Sequence, residues 1–380
     1  MPLPLVLIGA GIAGAGGLVA LIKGGMNVKE AKDLMAAANT RYEANKTRLA
    51  VASQTATHSM DSLGKLELVI TESFSMFSDL IAQIHNKPEF KAIDNNGNAI
   101  PTYSPEELKQ VSVGAGILLG GLTGAGMGVA GGFAAAGVTT AAVMALGTAS
   151  TGAAISGLSG VAATNATLAA LGGGAIVAGG GGMALGAAVL SGATLGVGLL
   201  VGGIIFSITG SKLSDKANEA MEQVRRMEKA VDATCEFLND LNECATGYYG
   251  VLRQVAGLYK KYIGRMDVVI NVNDKKDWYE FTDNEKLMVE NCSYLAGLLY
   301  NMCKVGLVKK TDDKNGINQI CYDEVEKSID GAVSLCDRLG VTISRVDLGR
   351  RQDGEKAVRP FTYSDLGMDK LNNIKSWDDM

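Results

Sequence analysis

The sequence is poor in the residues from which most reactive centres are built. It contains two His, His58 and His85, and its six Cys form no C-x-x-C pair. Those counts argue against a zinc site or a His-dependent catalytic triad, because each needs several such side chains to converge. Lys and Arg form no cluster and the net charge is -5, so the basic footprint of a nucleic-acid binder is missing. The deepest absence is local. From Val111 to Ser211, 101 consecutive residues include no Asp, Glu, Lys, Arg, His or Pro.

That block is built of 28 Gly and 23 Ala with scattered apolar residues, and the other 279 positions hold all 75 charges. Collagen needs Gly in strict thirds with abundant Pro, and disorder needs charge, so neither reading fits. Long uncharged apolar stretches are the mark of a membrane-seeking chain. Gly116, Gly120, Gly124, Gly128 and Gly132 form a continuous G-x-x-x-G series, and Gly174, Ala178, Gly182 and Gly186 continue it. In water each helical Gly is worse than Ala by about 1 kcal/mol. In lipid an unpaired backbone amide is worse still, so the segment is driven into helices whose small-residue stripes let backbones touch.

Hydrophobicity differs along the block. Val189 to Ile208, which contains Leu199, Leu200, Ile204, Ile205 and Phe206, holds eleven Leu, Ile, Val or Phe, whereas Gly114 to Phe133 holds six against nine Gly. On an insertion scale the first contributes about -3 to -7 kcal/mol and the second about -2 to -4. The first run leads insertion; the second is marginal and suited to storage in a soluble bundle. A polar interval at Thr148 to Asn165 divides the block into halves, each long enough for about two crossings. If the flanking helices pair in water, an even number of passes, one or two hairpins, is required. The competing readings are a silk-like stack and a permanently buried Gly/Ala-rich core, the latter disfavoured by the shortage of large side chains.

Leu3 to Ile22 is a second uncharged apolar run, with ten Leu, Ile or Val and no basic residue before Lys23. A cleaved leader has a positive segment ahead of its apolar stretch, so a retained membrane-seeking segment is the better reading. Within it Gly9-Ala10-Gly11-Ile12-Ala13-Gly14 satisfies the dinucleotide fingerprint. No second strand with an acidic end follows, which argues against that function and against any cofactor.

The flanks read as helices. Residues 26–87 contain no Pro and one Gly, with Met60, Leu63, Leu66, Ile70, Phe74, Phe77, Ile81 and Ile84 at spacings of three and four, until Pro88 stops the run. Asp94-Asn95-Asn96-Gly97 is a turn signal that can close a hairpin, and Ser104-Pro105-Glu106-Glu107 starts a helix leading into the uncharged block. Beyond the block, steps of three and four from Ala217 to Met266 meet fifteen positions of which only Thr234 is plainly polar. Such a stripe predicts one helix of about 50 residues, and the additional apolar Phe237, Val251 and Leu258 widen it beyond a two-stranded seam. Thr282-Asp283-Asn284-Glu285 is a capping box opening a helix with Met288, Cys292, Leu295, Leu299 and Met302 inward. Asn315 to Leu339 predicts another, with Cys321, Val325, Ile329, Ala332 and Cys336 inward. Val268 to Val272 and Val341 to Val346 are β-branched runs that can pair as strands. The cysteines fall on helical segments and read as buried apolar thiols.

The run Thr148 to Gly186, TASTGAAISGLSGVAATNATLAALGGGAIVAGGGGMALG, resembles a segment recurring in a family of bacterial glycine-zipper proteins of unassigned function. In these a Gly-rich amino-terminal run, a helix and this block come in the same order; the likeness is specific over these 39 residues and loose over 1–220. Long helices bracketing an apolar hairpin are similar, by analogy, to cytolysin A-type pore formers, apolipoprotein L and colicin channel domains, whose hairpins are shorter and less Gly-rich.

The expected fold is all-α, an elongated antiparallel helical bundle or coiled coil with a Gly/Ala-rich hydrophobic hairpin insert. The expected segments are 1–25 apolar, 26–110 helix and short hairpin, 111–211 membrane-inserting, 212–340 heptad helix and bundle, and 341–380 a polar tail. The expected function is non-enzymatic: a pore-forming toxin or bacterial immunity effector, made in the cytoplasm and acting at the inner membrane. Its expected partners are the lipid bilayer and further copies of itself. The alternative is a resident membrane scaffold whose coiled coil recruits a protein such as a membrane-remodelling GTPase, since the chain has no P-loop of its own.

Overall fold

The computed structural model describes residues 28–90, 108, 213–309, 319–346 and 348–350. These residues are almost wholly helical: α1 (Val28–Ala82), α2 (Leu213–Asp267), α3 (Asp283–Met302) and α4 (Tyr322–Arg338). The all-α expectation holds. The Asp94–Gly97 turn, the dinucleotide-like motif and the uncharged block lie outside the described residues, and Leu108 is helical and buried. The chain divides into two compact units, one drawn from Met1–Ala50 and Leu195–Ala233, the other from Val51–Thr194 and Thr234–Met380.

In the first unit the opening stretches of α1 and α2 lie together. Arg48 bonds Asp232 at 2.8 Å and Asn45 bonds Glu228 at 3.3 Å. Residue numbers rise together on both helices, so the two run parallel. The antiparallel arrangement expected from sequence is therefore wrong for this pair. A heptad stripe fixes which face packs but is blind to direction, and only short loops force neighbours to reverse. The chain between Ala82 and Leu213 is long enough to return to the other end.

The second unit repeats that parallel contact, with Glu67 near Tyr248 and Phe74 near Tyr259. Here the core side chains are large. All eight apolar positions picked out from Met60 to Ile84 are buried, and so are fourteen of the fifteen along α2, the first five of which lie in the first unit, Tyr262 alone being half-exposed. Helices α2, α3 and α4 do alternate in direction, as expected of an antiparallel bundle. Tyr248 of α2 meets Met302 near the end of α3 and Ser328 of α4, while Tyr294 of α3 lies under Arg338 at the end of α4.

The connections correct three local expectations. Val268–Val272 is not a strand; it continues α2 as one π-helical turn, stopped at Asp274 with φ 51°. Val341 to Val346 is irregular and takes no strand partner. The strand pair is instead β1 (Val308–Lys309) with β2 (Gln319–Ile320), antiparallel, and it delays the start of α4 to Tyr322 rather than Asn315. In the first two cases a β-branched run is too short for its propensity to outweigh tertiary contacts.

Candidate functional site

None of the residues expected to mediate insertion or close helix packing is described. Gly116, Gly120, Gly124, Gly128, Gly132, Gly174, Gly182, Gly186, Leu199, Leu200, Ile204, Ile205 and Phe206 all fall in the uncharged block, outside the described residues. The structure describes the helices that border it. Among the described residues no helix is long and apolar enough to cross a membrane, and no group of His, Cys, Asp and Glu is placed to hold a metal ion.

Where α1 and α2 open, the buried α1 positions are small or polar, whereas α2 also brings larger apolar side chains. On α1 the buried positions Ala31, Ala38 and Asn45 fall seven apart; on α2 they are Ala217, Ala220, Met221, Val224, Met227 and Val231. Asn45, at 4% exposure, donates from Nδ2 to Glu228, and its Oδ1 accepts from Arg48 at 3.1 Å. Arg41 reaches the other Glu228 oxygen at 3.6 Å and Arg48 holds Asp232. The result is one polar layer, Arg41–Glu228–Asn45–Arg48–Asp232, at the edge of an alanine seam. A buried Asn at a core position fixes register while lowering stability. Burial of an alanine methyl contributes about 0.8 kcal/mol against 1.5–3 for Leu, Met or Phe, so this stretch of α1 is held far more weakly than its later turns.

A second polar cluster lies in the core of the other unit. The Tyr248 hydroxyl carries one proton and the Met302 carbonyl can only accept it, at 2.8 Å; Ser328 Oγ, at 2.9 Å, is left as donor to Tyr248. One side chain thus ties α2 to the end of α3 and to the body of α4. Glu67, 2% exposed, lies near it, and Thr71 lies against Cys303. Burial pushes the Tyr248 hydroxyl well up, against the bond to Ser328, and nearby Glu67 adds to the shift. The Cys303 thiol is raised by burial first and by Glu67 second. Groups whose ionised forms are disfavoured in this way make a structural knot, not a proton donor or nucleophile near neutrality.

The sequence reading missed Glu67 and Asn45, though both carry a signal. A step of four from Leu63 lands on Glu67, and a seven-residue step from Ala38 lands on Asn45. Each is a polar residue at a position the helical period assigns to the core. Five of the six free thiols are buried, with Cys321 at the start of α4 half-buried. This agrees with the reading of apolar packing rather than a disulfide framework. No protein-family model, curated protein or solved structure matches this chain.

Proposed function

We propose that this is a non-enzymatic membrane-inserting protein whose uncharged block is sheltered in a water-soluble form and released into a bilayer, where copies associate through glycine stripes to form a pore. The observation that carries this reading is the 101-residue run without an ionisable side chain, with a long charged helix upstream of it and another starting directly after it. A constitutive anchor has no use for marginal spans. The small buried side chains of α1 and the polar layer at Glu228 and Asp232 support the reading, because a helix pair held so weakly on one side separates at little free-energy cost. The glycine-zipper resemblance points the same way. A bacterial toxin or immunity effector at the inner membrane fits this behaviour.

The test combines carbonate extraction with leakage of dye from vesicles. The full chain is expected first in the soluble fraction and then, after exposure to vesicles, in the carbonate-resistant pellet with release of dye. Gly124→Leu with Gly128→Leu should abolish most leakage by keeping helices apart. Undiminished leakage in that double variant overturns the role of the glycines. Permanent membrane residence without leakage favours instead a scaffold that recruits a partner.

A further inference from the structure

Residues 341–350, described except at 347, form neither helix nor strand and lie against α2 and α4 in the second unit. Ser344 N donates to Gln254 Oε1 at 2.9 Å, and Gln254 Nε2 donates to Ser344 O at 3.3 Å. A methyl added to Gly250 would touch Val346 at 3.5 Å, and Gly349 lies against Glu243. As numbers rise on this segment they fall on α2, so the two run antiparallel. From Gln254 back to Glu243 the helix covers about 16 Å at 1.5 Å per residue. From Ser344 to Gly349 a chain reaches that far only when extended, at about 3.3 Å per residue. Helix α2 is shaped to receive it. Glu243, Gly247, Gly250 and Gln254 follow at steps of four, three and four and so share one face. Glycine is unfavourable inside a helix, but here two of them leave a groove whose floor is backbone. Gln254 Nε2 also donates to Gly250 O at 3.1 Å, which fixes the amide that reads both polar groups of Ser344.

We propose that this groove is a receptor for an extended peptide, filled in cis by residues 341–350 as a detachable strap. The inference is independent of the membrane-inserting reading. Main-chain bonds give such a ligand affinity and its side chains give specificity. Ile343 and Leu348 are the buried anchors of the strap. Helix α4 supplies the other wall, with Asp323, Glu326 and Asp330 on one face. Arg350 bonds Asp323 at 2.9 Å and Glu326 at 3.0 Å, and Arg345 bonds Asp330 at 2.6 Å. The ligand class is therefore an extended chain with apolar anchors and arginines that meet carboxylates. All three ion pairs are open to water, where such pairs are weak and screened by salt. The strap leaves the end of α4 through Gly340, whose φ of 69° gives it a hinge. It can therefore lift away while the helices stay packed.

Two measurements on the full chain test this. Hydrogen exchange of the wild type reads detachment at low salt and in about 1 M sodium chloride, where the Debye length is about 3 Å. Amides of 342–350 should exchange at least about tenfold faster than those of Val325–Arg338, because they open locally. High salt should speed the strap on the order of a further tenfold and leave α4 unchanged. Strap amides as slow as those of α4, or indifferent to salt, overturn the proposal. A labelled peptide of the sequence 341–350 reads the groove. Ile343→Asp with Leu348→Asp empties it without altering α2 or α4. The peptide should bind that variant on the order of tenfold more tightly than wild type, whose own strap competes. Adding Gln254→Ala should weaken this binding about tenfold, since two bonds are lost. No binding to the emptied groove, with helix content unchanged by circular dichroism, overturns the receptor. Should that variant unfold, exchange in the wild type decides the matter.

Discussion

The Tyr248 hydroxyl donates to the Met302 carbonyl at 2.8 Å in a site fully closed to solvent. That bond joins the middle of α2 to the last turn of α3, where the carbonyls of a helix end lack intrahelical donors. Tyr248→Phe keeps the ring and removes both hydroxyl bonds, leaving the Met302 carbonyl with the Val305 N–H as its donor at 3.1 Å and Ser328 Oγ without its tyrosine partner. The variant should lose about 1–3 kcal/mol, seen as a lower urea midpoint with an unchanged slope. An unchanged midpoint would mean that neither of the two hydroxyl bonds contributes to stability.

The two stretches of the α1–α2 pair should open at different free energies. In 28–50 the buried side chains are Ala31, Ala38 and Asn45, facing Ala217, Ala220, Met221, Val224, Met227 and Val231 of 213–233, whereas 60–82 and 238–266 lie under Phe74, Phe77, Tyr248 and Tyr259. Hydrogen exchange in water should be faster in the first set. Asn45→Leu, which replaces the buried amide by an apolar side chain, should slow exchange there while weakening the preference for a single register. Equal protection in the two sets would refute the ranking.

Two glycines predict opposite signs. Gly349 has φ +69°, and an added methyl would collide with the Glu243 side chain. Gly349→Ala should lose at least about 1 kcal/mol and free the segment that Gln254 holds through its paired bonds to Ser344. Gly264 lies inside α2 with open space where a methyl would go. Gly264→Ala should gain about 0.5–1 kcal/mol. Thermal unfolding of the two variants reads both shifts.

Thiol reactivity should follow burial. Burial raises Cys244 to about 12, with Cys321 and Glu326 adding to it, and raises Cys336 to about 11, with a further push from Asp337. Cys292 and Cys303 are pushed up as well. Iodoacetamide at pH 8 should therefore modify Cys321 first and the other five, all buried, only as the bundle opens, resolved by mass spectrometry of the digested protein. Rapid labelling of Cys292 in the native protein would contradict the packing.

Acid should loosen the entry to α3. Burial tends to raise the Glu285 carboxyl, but bonds from Lys275 at 2.8 and 2.9 Å and from Thr282 outweigh it and hold the group below 4.5. A depressed carboxyl contributes stability that is complete above its unfolded value and is lost as pH falls through the folded one. Wild type should lose this contribution below about pH 4.5, the usual glutamate range. Glu285→Gln, already lacking the charge, should show a shallower dependence in that window.

The sequence alone determined the all-α class, the inward face of each long helix and the start of α3. These follow from local periodicity and from the Thr282 capping box, which the structure forms with both of its bonds. Glu67 and Asn45 were legible only as interruptions of an apolar stripe. The block expected to insert lies outside the described residues, so its glycines were read from sequence and nowhere else. Direction was decided by tertiary structure. A heptad stripe looks the same from either end, and it is the meeting of Arg48 with Asp232, and of Asn45 with Glu228, that makes α1 and α2 parallel. The β-branched runs at 268–272 and 341–346 show the same limit, since the backbone bonds of so few residues are settled by whichever neighbour the fold supplies.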